Sequence, residues 1–323
     1  LGDVYKRQVH LSPYMKSVIE RLMADKKRPA VHTYNATLNS FTKFSGGQGT
    51  EEMLVTDVFT AGKLKEYEAW LRSRNASWNT VSTYMRVLKA VYNRLVEAKH
   101  LTYDARLFDS VYTKVEAQSK RSLTEEQMNT LLRTDFEKLP EDVQNVLAYF
   151  LLMFLFRGMP FIDMAYLRKQ DLKEHCITYC RHKTGKKMVV RIPHEATALF
   201  EKCRNKKTDS GYLFPILDET TENEKKLYEN YRQALRTFNR KLAKMAALLL
   251  PGTNISSYTA RHTWATLAFY SGIPIGIISK ALGHSSIKVT ETYLKPFENE
   301  KVDAANDELI MSVVKRSKEK IVA

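Results

Sequence analysis

Along the first third of the chain, apolar residues recur every three or four positions, the spacing of one helix face. In residues 11–24 they are Tyr14, Met15, Val18, Ile19 and Leu22, and in 30–44 they are Tyr34, Leu38 and Phe41, ahead of Gly46-Gly47. Residues 60–75 carry Leu64, Tyr67, Trp70 and Leu71, and 79–99 carry Val81, Tyr84, Leu88, Val91, Tyr92 and Leu95, with Asn79 as the expected N-cap. The pattern predicts four helices forming an all-α unit over residues 9–110, and by itself it fits any helical bundle. Residues 111–121 (V-Y-T-K-V-E-A-Q-S-K-R) are polar and basic without a core stripe, and read as a linker.

The pattern changes after residue 121. Ser122 or Thr124 should cap a helix whose first turn is acidic, and a second helix is expected over 142–157. Residues 176–181 and 188–192 alternate as two strands around the turn His182-Lys183-Thr184-Gly185-Lys186-Lys187. A long helix should span 224–249, followed by short ones over 257–270, 274–282 and 286–294. Gly272 and Gly283 sit where C′ glycines belong, and Pro274 where an N1 proline does. The expected fold class is mainly α with a small antiparallel β-sheet: a helical N-terminal domain, an α+β domain over 122–300, and a tail over 301–323. That tail carries Leu309, Ile310, Val313 and Val314 before a basic run at 315–320.

Composition narrows the partners. The 323 residues suffice for two domains with cores, and 51 Lys+Arg against 36 Asp+Glu give a net charge of +15, which favours a polyanion. No apolar run reaches the ~20 residues of a membrane span, and no secretory signal is visible, so a cytoplasmic, nucleoid-associated location is expected. The first residue is Leu1 rather than Met, and residues 1–8 are set aside as incomplete or foreign sequence. Cys176, Cys180 and Cys203 are too few for a disulfide framework. His175, Cys176, Cys180 and His182 suggest zinc, but on a strand positions four apart lie roughly 13 Å from each other, too far for one metal.

The chemistry concentrates between Ser256 and Tyr293, in S-S-Y-T-A-R-H-T-W-A-T, L-G-H-S-S and T-E-T-Y-L. Arg261 can fork onto two phosphate oxygens, His284 can donate a hydrogen bond, and Tyr293 ends in a hydroxyl able to attack phosphorus. A buried Arg261 needs a carboxylate or a bound phosphate, and its neighbour His262 reads as structural support.

These residues closely resemble the signature of the tyrosine recombinase (phage integrase) family, in particular integrases of mobile elements. Arg261 matches the second catalytic arginine, and Tyr293 follows His284 by the nine residues that separate the family's histidine from its nucleophile. The resemblance implies a helical DNA-clamping domain before a catalytic domain that cleaves and rejoins DNA through a 3′-phosphotyrosine, without metal or cofactor. It also implies double-stranded DNA as partner, assembly into a tetramer on it, and accessory DNA-bending proteins. The family's general-acid lysine sits on a β-hairpin, where Lys183 is the best match; Lys186 and Lys187 are read as phosphate or solvent contacts. The chain departs from the pattern twice. Pro160 stands where the first catalytic arginine is usual, leaving Arg157 to reach the phosphate from the preceding turn, and Tyr258 replaces the histidine of His-x-x-Arg. A non-catalytic DNA-binding protein of this fold and a type IB topoisomerase are the alternatives. Whether Arg157 lies beside Arg261 separates the first of them from a recombinase.

Overall fold

An amphipathic segment becomes a helix where its apolar face finds a core and its first amides find acceptors. In the computed structural model, which describes residues 8–46, 53–115, 122–218, 223–294, 302–311 and 314, the chain divides into two compact units, Leu1–Gln118 and Ser119–Ala323. The first holds α1 (Leu11–Ala24), α2 (Arg28–Phe44), α3 (Val55–Val58), α4 (Ala61–Ser73) and α5 (Trp78–Glu97). The expected stripes face inward: Met15, Phe41, Leu64, Tyr67 and Leu88 are fully buried. α1 packs on α2, and α2 and α4 pack on α5.

Three details differ from the sequence expectation, the first being α3, a fifth helix where four were expected. Ser77, not Asn79, caps α5: its Oγ accepts from the Thr80 amide at 3.2 Å. Starting the helix earlier lets Trp78 pack against Tyr112, with ring centroids 5.0 Å apart. The segment expected to be a linker also begins inside this unit. Val111 is buried in its core, and the Tyr112 amide donates to the buried Glu68 at 2.6 Å. Residues 116–121 lie outside the described residues.

The second unit contains α6 (Glu125–Leu132), α7 (Glu141–Leu155), α8 (Phe161–Tyr166), β1 (Leu172–Lys173), β2 (Cys176–Cys180), β3 (Lys187–Arg191), α9 (Thr197–Cys203), α10 (Glu224–Leu249), α11 (Thr259–Tyr270), α12 (Ile275–Leu282) and α13 (Ile287–Glu291). Thr124 rather than Ser122 caps α6, in a reciprocal capping box with Gln127. α7 is apolar nearly all round and sits at the centre, with α6, α9, α10 and α11 packed on it. The antiparallel sheet has the order β1-β2-β3, with Leu172 opposite Ile177 and Tyr179 opposite Met188. β1 escapes a periodicity argument because it is two residues long. Pro274 occupies the N-cap of α12 rather than N1, with extended backbone at ψ 134°.

Helices α11, α12 and α13 gather a separate small cluster of Ala265, Ala268, Ile278, Leu282 and Leu294, against which Tyr293 packs. In the tail, residues 302–311 are helical and exposed, including Leu309 and Ile310. Val313 and the basic run 315–320 lie outside the described residues. No helix among the described residues is long and apolar enough to cross a membrane.

The cap assignment is testable. Ser77→Ala should destabilise the chain by about 1 kcal/mol, while Asn79→Ala, inside the first turn, should cost only a few tenths. Denaturant midpoints of the two variants compare them directly, and the reverse ranking would return the cap to Asn79.

Candidate active site

Arg261 lies in the first turn of α11 and is only 2% exposed, so its charge requires partners. The sequence suggested a carboxylate or a phosphate. Two backbone carbonyls supply them instead: Nη1 donates to Gly158 O at 2.9 Å, and Nη2 donates to Leu282 O and approaches His284 Nε2 at 3.1 Å. Gly158 can present its carbonyl because the chain breaks after α7, with Arg157 at φ 59° and Gly158 at φ 66°. A Cβ on Gly158 would stand 2.9 Å from Arg261 Cα, so this position needs glycine for both its conformation and its space. Leu282 is the last residue of α12, where carbonyls have no partner within the helix and the dipole favours cations.

A second guanidinium uses the same helix end. Arg181, 5% exposed, follows β2; its Nη1 donates to Leu282 O at 3.0 Å and to Gly283 O at 3.3 Å. Its Nε is 3.6 Å from Asp163 Oδ2, and Asp163 Oδ1 accepts from the His182 amide at 2.8 Å. Burial raises the Asp163 carboxyl above its ordinary value, opposed by the His182 N–H and by Arg181. Sequence reasoning missed Arg181, although a signal was present. The inward alternation Ile177, Tyr179 along β2 continues to position 181, which should have marked it as a buried arginine.

Arg157 stands apart from this pair. It is exposed, and its Nη1 donates to Val189 O on β3 at 3.4 Å. The cationic neighbour that lowers the Arg261 guanidinium, after burial, is Arg181. The guanidinium beside Arg261 is therefore that of Arg181.

His284 follows Gly283, which ends α12 in a left-handed conformation at φ 67°. Its Nδ1 is 2.9 Å from Thr290 Oγ1. Lys186 Nζ donates to the His284 carbonyl at 3.1 Å, so Lys186 is more closely engaged than the sequence suggested. Lys183 is exposed in the hairpin turn, near enough for its charge to act on His284.

Tyr293 completes the group. Its ring lies 4.8 Å from that of His262 and 4.7 Å from that of His284, and Arg261 Cζ is 5.6 Å from its centroid. Its hydroxyl is 2.7 Å from that of Tyr258. Partial burial, then the Tyr293 hydroxyl, pushes the Tyr258 phenol up to about 12, so Tyr258 stays protonated near neutral pH. The structure thus brings Arg261, His284, Tyr293 and Tyr258 together with Lys183 at the rim, adds Arg181, and leaves Arg157 outside.

A fold of this kind, carrying a buried arginine pair, a histidine and a tyrosine, is that of a tyrosine recombinase. A model of the phage integrase family matches residues 121–300, and one of the phage integrase SAM-like domain matches residues 10–108. The chain belongs to the phage integrase family. It is similar to tyrosine recombinase XerA of Pyrococcus furiosus, 25% identical over 240 residues covering 73% of this chain and 76% of the relative. Tyrosine recombinase XerC of a Roseiflexus species is 25% identical over 284 residues, 84% of this chain and 86% of the relative. Among solved structures, a lambda integrase dimer bound to a COC′ core site superposes with TM-score 0.64 at 15% identity, over 89% of this chain and 78% of that one. The Tn1549 transposon integrase in complex with a circular intermediate DNA gives 0.63 at 16%, over 92% and 99%. These likenesses show the fold.

Burial, then Arg261, Arg181, Lys183 and Lys186, pulls the His284 imidazole from 6.5 to about 4. Unfolding therefore takes up a proton between those values, and the stability of the folded chain falls as pH drops from about 6.5 to about 4. His284→Asn abolishes that term. Denaturant midpoints of wild type and variant should diverge against the wild type over this window, and parallel pH slopes would contradict the placement of His284 among these charges.

Proposed function

We propose that this chain is a site-specific DNA recombinase that cleaves and rejoins strands through a 3′-phosphotyrosine at Tyr293. The observation that carries the reading is the excess of buried positive charge beside that tyrosine. Arg181 and Arg261 share the carbonyl of Leu282, Asp163 is the carboxylate paired with Arg181, and the Nε of each arginine has no hydrogen-bond partner among the described residues. A phosphodiester brings the missing negative charge and the acceptors.

The reaction then follows from the residues. The guanidinium pair clamps the non-bridging oxygens and stabilises the charge that grows on them. The Tyr293 phenol gives up its proton to solvent water, and its oxygen bonds to phosphorus as the bond to the 5′ oxygen breaks. Lys183, on the hairpin turn, donates the proton that the departing 5′ oxygen needs. The phosphotyrosine ester retains the bond energy, so a 5′-hydroxyl of a second DNA end reverses the step without ATP. By the position of Arg157 alone the chain would read as non-catalytic; Arg181, held by Asp163 beside Arg261, takes the role that Pro160 leaves vacant, and its position supports a catalytic chain instead.

A suicide substrate nicked near the cleavage site should trap the wild type as an SDS-resistant adduct in the presence of EDTA. Tyr293→Phe should bind the same DNA and form none. Adduct formation by that variant, or a strict metal requirement, would overturn the mechanism.

The two arginine assignments separate cleanly. Arg181→Ala should slow adduct formation roughly 10²–10³-fold, as loss of a charge-stabilising donor does, and Arg181→Lys should recover only part of that. Arg157→Ala should slow it much less. The opposite ranking would give the role to Arg157.

A lambda integrase tetramer bound to a Holliday junction shares this fold, with TM-score 0.64 at 14% identity over 90% of this chain. We infer tetrameric assembly on DNA here as well, with the exposed tail helix packing on a neighbouring copy through Leu309 and Ile310. A truncation ending at Glu300 should bind DNA as a monomer but fail to assemble and recombine. Full recombination by that truncation would remove the tail from assembly.

A further inference from the structure

The hydrogen bonds around His284 fix its tautomer. A guanidinium has donors only, so the 3.1 Å contact from Arg261 Nη2 obliges His284 Nε2 to act as acceptor. Burial and four neighbouring cations keep the ring neutral. Its one proton is then on Nδ1, donated to Thr290 Oγ1 at 2.9 Å. In this state Nε2 offers a lone pair, which cannot bind a phosphate oxygen, itself an acceptor. His284 can serve a phosphodiester only after Nδ1 loses its proton and Nε2 gains one, an exchange through water with no net change in charge.

Thr290 suits that exchange. It is fully buried in α13, and a hydroxyl both accepts and donates. It accepts from Nδ1–H before the exchange and donates to bare Nδ1 after it. Its carbonyl also accepts from the Tyr293 amide at 2.8 Å, so one residue holds the histidine ring with its side chain and the nucleophile with its backbone. We propose that Thr290 is a positioning residue that sets the tautomer of His284, permits its change from acceptor to donor at Nε2, and ties the ring to the helix end carrying Tyr293. This rests on the recombinase reading given above.

The test uses the full chain with 15N-labelled histidine. In DNA-free wild type, the His284 ring, assigned by the signals lost in His284→Asn, should show a protonated Nδ1 and a bare Nε2. Thr290→Val, isosteric but without the hydroxyl, should lose that pattern, and Thr290→Ser should keep it. On the suicide substrate, Thr290→Val should form adduct roughly 10–100-fold more slowly at unchanged DNA affinity, a loss of the size seen when the partner orienting a metal-bound histidine is removed. Thr290→Ser should stay within a few-fold of wild type. A wild-type ring protonated on Nε2 would overturn the proposal whether or not Thr290→Val folds. So would a folded Thr290→Val with wild-type tautomer and rate. If the wild type shows the stated tautomer but forms no adduct, the recombinase reading fails instead.

Discussion

The carbonyl of Leu282, at the end of α12, accepts from both Arg181 and Arg261, and the rest of the site takes its shape around that shared acceptor. Two guanidinium groups facing one carbonyl repel each other, and burial removes the water that would screen them. Three features offset this: the negative end of α12, the Gly158 carbonyl exposed by the break after α7, and Asp163. The offset is incomplete. With His284 neutral, the two arginines outweigh the single carboxylate, and the Nε of each lacks a hydrogen-bond partner among the described residues. The buried positive charge left over is the feature on which the proposed anion binding rests.

Much of this was legible in the sequence, for reasons that can be stated. The helical stripes of the first unit and the span of α10 follow from long apolar periodicity, the most dependable signal a sequence carries. His284 and Tyr293 were legible because their spacing matches that of the family the segment resembles, and because Gly283 sits where a helix should end. The first arginine was not. The arginine that lies beside Arg261 follows a strand more than one hundred residues before the end of α12, so only folding brings Arg181 to Leu282. Arg157 looked eligible from the turn preceding Pro160, yet the left-handed turn that aims the Gly158 carbonyl at Arg261 leaves the Arg157 side chain on the outside, against β3.

The replacement of histidine by Tyr258 also changes meaning once the side chains are in place. From sequence it was a departure from His-x-x-Arg. In the folded chain its hydroxyl is bound to that of Tyr293, 2.7 Å away, and Tyr293 is packed between two histidine rings. Tyr293 is therefore held by its own chain, and its docking depends on the small apolar cluster of α11, α12 and α13 rather than on the main core. So small a cluster gives this helix end few buried contacts to oppose a local shift.

Two phenols within hydrogen-bonding distance, both beside the arginine pair, make the identity of the nucleophile the sharpest question. The direct measurement is mass spectrometry of the covalent adduct after trypsin and nuclease digestion. A nucleotide joined through its 3′ phosphate to the peptide containing Tyr293 is expected, with the Tyr258 peptide unmodified. A nucleotide on Tyr258, or on neither tyrosine in a trapped complex, would contradict it.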